Sequence, residues 1–213
     1  GSGNVAQYAV EKIIELKGKV VTVSDSSGYI YAEDGLTAEH LEFMMELKNQ
    51  DRGRVSEMAE KFSGLTYYED EKAWNLPGEV DVVIPCATQN ELDEDDARKL
   101  VEKGARYVGE GANMPCTTEA AHLFQKKKVL FGPGKAVNAG GVAASGLEMA
   151  QNALRLRWER EKVDEKLLYI MRDIHAQCVR FGKNEHGEID YVKGANLAGF
   201  VKVADAMMDQ GAV

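Results

Sequence analysis

The sequence predicts an α/β protein with a doubly wound, Rossmann-like sheet and a helical extension at its C-terminal end. Short apolar runs alternate with amphipathic stretches of helical spacing as far as residue 132, which is typical of parallel strands connected by helices. The first six residues have the spacing of a glycine-rich turn that joins a strand to a helix. Beyond Trp158 the apolar spacing is helical only.

Apolar runs bounded by glycine or polar residues predict the strands. They cover residues 19–24, 65–68, 80–87, 106–109 and 129–132. Helices are predicted between them, with Thr37 and Thr117 as N-caps. These helices cover residues 7–17, 37–47, 56–62, 93–103 and 117–126.

The C-terminal part is predicted to be helical, over residues 143–159, 163–181 and 195–208. The sequence therefore indicates a dinucleotide-binding domain, residues 1–145, and a helical segment, residues 146–213, that packs back on the core.

The position of the glycine-rich turn raises a structural question. In a Rossmann-like fold this turn follows the first, central strand of the sheet. Gly1 already belongs to the turn, so we expect that strand to be absent from this chain. Because a sheet without its middle strand leaves backbone groups unpaired, we expect the chain to be part of a longer polypeptide.

Composition narrows the class of protein. The net charge of −9 argues against a nucleic-acid binder, and no apolar run is long enough to span a membrane. Cys86, Cys116 and Cys178 have no metal or redox spacing, which suits a reducing cytoplasm. His175 lies one helical turn from Cys178, but zinc needs three or four ligands, so no metal site is predicted.

Gly1, Gly3 and Ala6 have the G-x-G-x-x-A spacing of dinucleotide sites. Gly1 permits the tight turn, Gly3 lets the backbone approach a diphosphate, and Ala6 allows the helix to pack closely on the sheet. The helix then presents free N–H groups to the phosphates. The alternative interpretation is an ordinary glycine-rich turn.

An acidic residue follows about 20 residues later, as expected for a contact with the adenosine ribose. Asp25 lies at the end of a predicted strand among Ser24, Ser26 and Ser27. An acid alone at this place favours NAD, whereas hydroxyls and nearby cations favour the 2′-phosphate of NADP. The available cations are Lys48, Arg52 and Arg54, each of which has the alternative role of a solvated surface side chain.

Along its whole length the chain resembles the cofactor domain and C-terminal helices of hexameric glutamate dehydrogenases of the NADP-linked type. The resemblance depends on blocks of sequence that occur in the right order. These are Gly-Ser-Gly-Asn-Val-Ala (1–6), Ser-Asp-Ser-Ser-Gly (24–28), Pro-Cys-Ala-Thr-Gln-Asn-Glu (85–91), Gly-Ala-Asn-Met-Pro (111–115) and Pro-Gly-Lys-Ala-Val-Asn-Ala-Gly-Gly-Val (133–142).

The resemblance implies contacts with NADP, with NAD as a possible substitute. It places the pyrophosphate at Ser2, Gly3, Asn4 and Val5, the adenosine ribose at Asp25 and Ser26, the 2′-phosphate at Lys48, the nicotinamide ribose at Ala87, Thr88 and Gln89, and the nicotinamide at Gly111, Ala112, Asn113 and Asn138.

The resemblance also implies part of an amino-acid pocket. Val142 and Ser145 would form its wall, with Ser145 bonding the side-chain carboxylate of glutamate. From the residues alone other interpretations stay open: Ser145 can bond its own helix backbone, Asn113 can be a turn residue, and Gly140-Gly141 can be a flexible loop.

The activity implied is the reversible oxidative deamination of glutamate to 2-oxoglutarate and ammonia. In the family the catalytic lysine and aspartate belong to an N-terminal substrate domain, so no catalytic residue is expected in this chain, and the chain alone is expected to be inactive. The N-terminal domain of the same polypeptide and a homohexamer are the implied partners.

Two other functions are compatible with the sequence. One is a related dehydrogenase for leucine, phenylalanine or valine, which Ser145 speaks against because an apolar pocket would not favour a hydroxyl. The other is a non-catalytic nucleotide-binding module. An upstream glycine-rich lysine motif and a catalytic aspartate would distinguish the enzyme from the module.

Overall fold

The computed structural model describes residues 1–211 of the mixed α/β chain. The described part forms two compact units, one from Gly1 to Val129 and the other from Leu130 onward. The domain division at residue 145 inferred from the sequence stays a prediction.

The first unit contains an antiparallel sheet. Its strands are β1 (Thr22–Asp25), β2 (Gly28–Ala32) and β3 (Leu65–Glu69), in the order β1-β2-β3. β1 pairs with β2 and β2 with β3 in antiparallel register. The prediction that all strands are parallel is therefore wrong for this part of the chain, and β2 was not predicted at all.

A two-residue turn explains the reversal of direction. Asp25 pairs with Gly28 across Ser26 and Ser27, and the Asp25 carboxylate accepts the Ser27 N–H at 3.0 Å. Such a bond from an aspartate to the backbone two residues on stabilises tight turns. Gly28 has φ +150°, and a Cβ there would lie 2.1 Å from the Tyr68 carbonyl oxygen. Only glycine fits this position.

Parallel pairing occurs later in the first unit. β4 (Val82–Val83) and β5 (Tyr107–Gly109) are parallel, with Val82 opposite Tyr107. This pairing confirms the predicted parallel arrangement here, although the predicted strand 80–87 is reduced to two residues. α4 (Glu94–Glu102) and α5 (Thr118–Lys126) follow β4 and β5 and pack on each other.

Three helices cover the antiparallel sheet. They are α1 (Asn4–Glu15), α2 (Ala38–Glu46), which continues as a π-helical turn (Leu47–Asp51), and α3 (Ser56–Lys61). The core between helices and sheet is formed by fully or nearly fully buried apolar side chains, including Val10, Val23, Ile30, Met44, Leu47 and Met58. Burial of each such side chain contributes about 1.5–3 kcal/mol relative to exposure.

The N-terminus of α1 differs from those of α2, α4 and α5 in a way that matters for the site. The predicted cap Thr37 accepts the His40 N–H, and the predicted cap Thr117 accepts the Ala120 N–H, each at 3.3 Å. Asp93 caps α4 in the same way. α1 starts three residues earlier than predicted, with Gly3 as its N-cap, and no side chain caps it.

A cavity of about 660 Å³ lies in the first unit. It is lined on one side by residues 20–24 around β1 and on the other by residues 79–84 around β4, and Ala6, Ala9, Val10 and Ile13 of α1 line it as well. β1 and β4 are each at the edge of their sheet.

The second unit is mainly helical. Its elements are β6 (Leu130–Gly132), α6 (Gly134–Val137), α7 (Ala139–Leu154), α8 (Arg160–Gly182) and α9 (Tyr191–Asp209). α8 and α9 approach closely at Gly194, where a Cβ would lie 2.0 Å from the Cys178 carbonyl oxygen. The three long helices were predicted, but each starts earlier than the apolar spacing alone indicates.

Candidate functional site

The N-terminus of α1 is open on the side where a ligand could approach. Gly3 and Asn4 are exposed, and a Cβ built at Gly3 would meet no atom within 4 Å. Since the first N–H groups of a helix have no intrahelical acceptor, an uncapped N-terminus with space in front of it favours an anion. The first turn carries no acidic residue that would repel one.

The glycine-rich turn lies directly against the loop that follows β4. A Cβ at Gly1 would lie 2.9 Å from the Cys86 carbonyl oxygen and 3.1 Å from the Ala87 Cβ. A Cβ at Gly111 would lie 2.5 Å from the Cys86 sulfur and 3.4 Å from a methyl group of Val5. Glycine at both positions allows three predicted segments to meet, namely the turn and the loops at 85–91 and 111–115.

Two buried or half-buried glutamates hold these loops. Glu91 accepts the Ala87 N–H at 2.8 Å, and Glu110 accepts the Cys116 N–H at 3.3 Å. The loops are also joined to each other, because Asn90 donates to the Met114 carbonyl at 3.0 Å. Ala87, Thr88, Gln89 and Asn113 are left exposed on this framework.

Asp25 is bound by three donors of its own chain. Its carboxylate accepts the N–H groups of Ser27 and Val55, each at 3.0 Å, and the Lys48 ammonium at 3.1 Å. Burial by itself would raise the pKa of Asp25, but these hydrogen bonds and the Lys48 charge hold the pKa below its ordinary value. The carboxylate is therefore ionised and neutralised by Lys48.

A second cation lies beside the same turn. Arg54 donates to the Ser26 hydroxyl at 2.8 Å, and both residues are exposed. Lys48 also donates to the Gly53 carbonyl at 2.8 Å. A guanidinium, an ammonium and a hydroxyl around one turn can bind a phosphate.

Sequence reasoning missed a contact between α1 and the π-helical turn. The side-chain amides of Gln7 and Asn49 exchange hydrogen bonds at 3.1 and 3.3 Å, and Gln7 also donates to the Ser2 carbonyl at 2.8 Å. Gln7 and Asn49 are 42 residues apart, and no local pattern marks either of them as a partner.

The profile of the glutamate/leucine/phenylalanine/valine dehydrogenase family matches residues 1–211. The chain belongs to this family.

Among its relatives, the NADP-specific glutamate dehydrogenase of Escherichia coli is 57% identical over 213 residues, which are 100% of this chain and 47% of that enzyme. The NAD(P)-specific glutamate dehydrogenase of Xylanibacter ruminicola is 56% identical over 211 residues, 99% of this chain and 47% of that enzyme. The crystal structure of Plasmodium falciparum glutamate dehydrogenase matches with a TM-score of 0.95 at 47% identity, over 100% of this chain and 45% of that one. The chain thus spans about half the length of these relatives.

The other residues predicted to bind cofactor or substrate belong to the second unit. Asn138 lies between α6 and α7, and Val142 and Ser145 are exposed on α7. The Ser145 hydroxyl lies 3.4 Å from the Gly141 carbonyl oxygen, the backbone contact that the alternative interpretation expects. The ligand roles of these three residues stay predictions.

The cysteines are buried and poorly suited to nucleophilic chemistry. Burial raises the pKa of Cys86 to about 11 and also raises the pKa of Cys116 and Cys178. Within residues 1–211, no three His, Cys, Asp or Glu side chains are grouped to hold a metal ion. In the same range, no helix combines the length and apolarity needed to cross a membrane.

Proposed function

We propose that this chain is the cofactor-binding part of an NADP-dependent glutamate dehydrogenase, which converts L-glutamate, NADP and water reversibly into 2-oxoglutarate, ammonia and NADPH. The observation that supports this most strongly is the uncapped N-terminus of α1, with open space at Gly3 and the loops 85–91 and 111–115 packed beside it.

The diphosphate would lie at this helix N-terminus. Gly3, Asn4 and Val5 are exposed and can offer backbone N–H groups and the favourable end of the helix dipole. Ser2 is buried and its carbonyl is bound by Gln7, so its part is to hold the shape of the turn.

The 2′-phosphate would lie at the turn after β1. Asp25 alone would repel it, but Lys48 neutralises the carboxylate, and Arg54 and Ser26 add a cation and a hydroxyl donor. This arrangement of charges favours NADP over NAD, because only NADP has a 2′-phosphate that Lys48 and Arg54 can bind.

The nicotinamide half would lie between the two loops that meet the turn. Ala87, Thr88 and Gln89 would contact its ribose, and Gly111, Ala112, Asn113 and Asn138 the ring. Gln89 and Asn113 carry amides, which supply both donors and acceptors for a carboxamide. The cofactor supplies the hydride acceptor, and these residues of the chain orient it. Val142 and Ser145 would form part of the glutamate pocket.

The cavity between β1 and β4 supports a doubly wound, Rossmann-like sheet with a central strand contributed by a segment before Gly1. Edge strands on both sides and α1 above offer backbone groups and apolar side chains to such a segment. A strand there would run into the glycine-rich turn, as this fold requires.

The catalytic lysine and aspartate would belong to an N-terminal substrate domain of the same polypeptide, and the complete enzyme would be a homohexamer. The length of the relatives, about twice that of this chain, supports a further domain. We therefore expect no glutamate-dependent reduction of NADP by the 213-residue chain.

A cofactor titration tests this proposal. We expect NADPH fluorescence to report saturable binding to the 213-residue chain, tighter than that of NADH. Lys48→Gln removes the charge but keeps a donor for Asp25, so it should weaken NADPH binding about ten-fold and NADH less than about two-fold.

Lys127→Gln removes a charge at the exposed end of α5 and serves as the matched control, with neither affinity changed. Absence of binding of either cofactor to the unaltered chain would contradict the cofactor site. Equal weakening of both cofactors by Lys48→Gln would contradict the preference for NADP.

A further inference from the structure

An amide bridge between buried Gln7 and exposed Asn49 connects the glycine-rich turn to the segment that carries Lys48. Gln7 is only 1% exposed, and its amide nitrogen donates both to the Ser2 carbonyl at 2.8 Å and to the Asn49 side chain at 3.3 Å. Asn49 returns a hydrogen bond to the Gln7 side-chain oxygen at 3.1 Å. A reciprocal pair of this kind sets the distance and the orientation between its two elements.

Asn49 is the middle residue of the π-helical turn at the end of α2. This turn closes with the Gly53 N–H on the Leu47 carbonyl at 2.9 Å and with Arg52 at φ 55°. A π-helical turn departs from the α-helical register and often occurs at functional sites. The backbone position of Lys48 is therefore not determined by regular helix geometry, and a contact from outside α2 can determine it.

We propose that Asn49 is a positioning residue that sets the preference for a 2′-phosphorylated dinucleotide, acting through Lys48 and held in place by Gln7. This inference depends on the proposed function, because it concerns the same cofactor site. NADP would contact both the glycine-rich turn and Lys48, whereas NAD would contact the turn but has no 2′-phosphate for Lys48 to bind. The Gln7–Asn49 bridge fixes the distance between the glycine-rich turn and Lys48. Its loss therefore affects NADP, the cofactor that would contact both.

Both polar atoms of the Asn49 side chain form hydrogen bonds with Gln7, so the proposed effect of Asn49 on the cofactor passes through its neighbours. Lys48 is the neighbour with the charge, and its ammonium sits between the Asp25 carboxylate and the Gly53 carbonyl. A small shift of the π-helical turn would move that ammonium away from a phosphate at Ser26.

Asn49→Ala tests the inference in the 213-residue chain, with NADPH and NADH as the probes. We expect NADPH binding to weaken roughly five-fold and NADH binding to change less than about two-fold. Gln7→Met also removes the bond to Ser2, so it should weaken both cofactors. Gln50→Ala, at an exposed neighbour on the same turn, is the matched control and should change neither.

A double-mutant cycle separates positioning from a general structural effect. If Asn49 acts through Lys48, Asn49→Ala should have no further effect on NADPH binding when Lys48→Gln is already present. Additive effects, or equal weakening of NADPH and NADH by Asn49→Ala at an unchanged melting temperature, would overturn the inference. Failure of the unaltered chain to bind NADPH would instead overturn the proposed function, and this inference with it.

Discussion

Asp25 occupies the place where a dinucleotide-binding fold usually has an acid for the adenosine ribose. Its side chain is 8% exposed, and all three of its observed partners belong to this chain. A buried carboxylate needs such partners because removing its charge from water is costly. Asp25 therefore stabilises the turn between β1 and β2 and anchors Lys48.

Replacing this carboxylate should make stability less dependent on pH. Asp25→Asn should destabilise the chain by about 2 kcal/mol near neutral pH, since an uncharged amide cannot satisfy the same donors. The pKa of Asp25 is lowered in the folded chain, so its contribution is complete above the ordinary value of 3.8 and disappears as the pH falls through the lowered pKa. Urea denaturation of both proteins at several pH values measures the difference.

Asp34→Asn, at an exposed site after β2, is the control. It should change the free energy of unfolding only slightly at every pH. The free energy of unfolding of the unaltered chain and that of Asp25→Asn should differ less in acid than at neutral pH. An equal difference at both pH values would show that the charge is not what stabilises the turn.

At the scale of elements, the hairpin of β1 and β2 is the feature that departs from a simple strand–helix alternation. It depends on Gly28, whose Cβ position is occupied by the Tyr68 carbonyl of β3. The stacked rings of Tyr29 and Tyr68, 4.8 Å apart, extend the same β2–β3 contact.

Gly28→Ala should destabilise the sheet by at least about 3 kcal/mol, because it adds a steric clash to a backbone conformation reserved for glycine. Gly64→Ala is the matched control, since Gly64 has φ +91° but no atom within 4 Å of its Cβ position. It should cost only about 1–2 kcal/mol of backbone strain. Equal free energies of unfolding for the two variants would show that the clash with β3 is relieved.

At the scale of the whole molecule, the cavity between β1 and β4 is the place where we propose that a further strand binds. Apolar side chains of α1 line it, and β1 and β4 are edge strands that face it. Unpaired strand edges readily accept an additional strand.

Joining about five residues rich in valine and isoleucine to Gly1 should raise the melting temperature by several degrees, because a short strand can pair with both edges and bury apolar surface. A glycine–serine segment of equal length is the control and should leave the melting temperature unchanged. Identical melting of the two fusions would contradict a strand site in this cavity.

Local sequence determined much of this chain: the caps Thr37 and Thr117, the parallel pair β4–β5, the long C-terminal helices and the blocks that mark the family. These features depend on residues close together in the chain or on recognisable motifs, so they can be predicted from the sequence. The hairpin, the three partners of Asp25 and the Gln7–Asn49 bridge were decided only by the tertiary structure. The hydrogen bonds of Asp25 and Gln7 join residues as far as 42 positions apart, and only folding selects which of these residues meet. The hairpin depends on the positive φ of Gly28, a backbone angle that glycine permits but does not require.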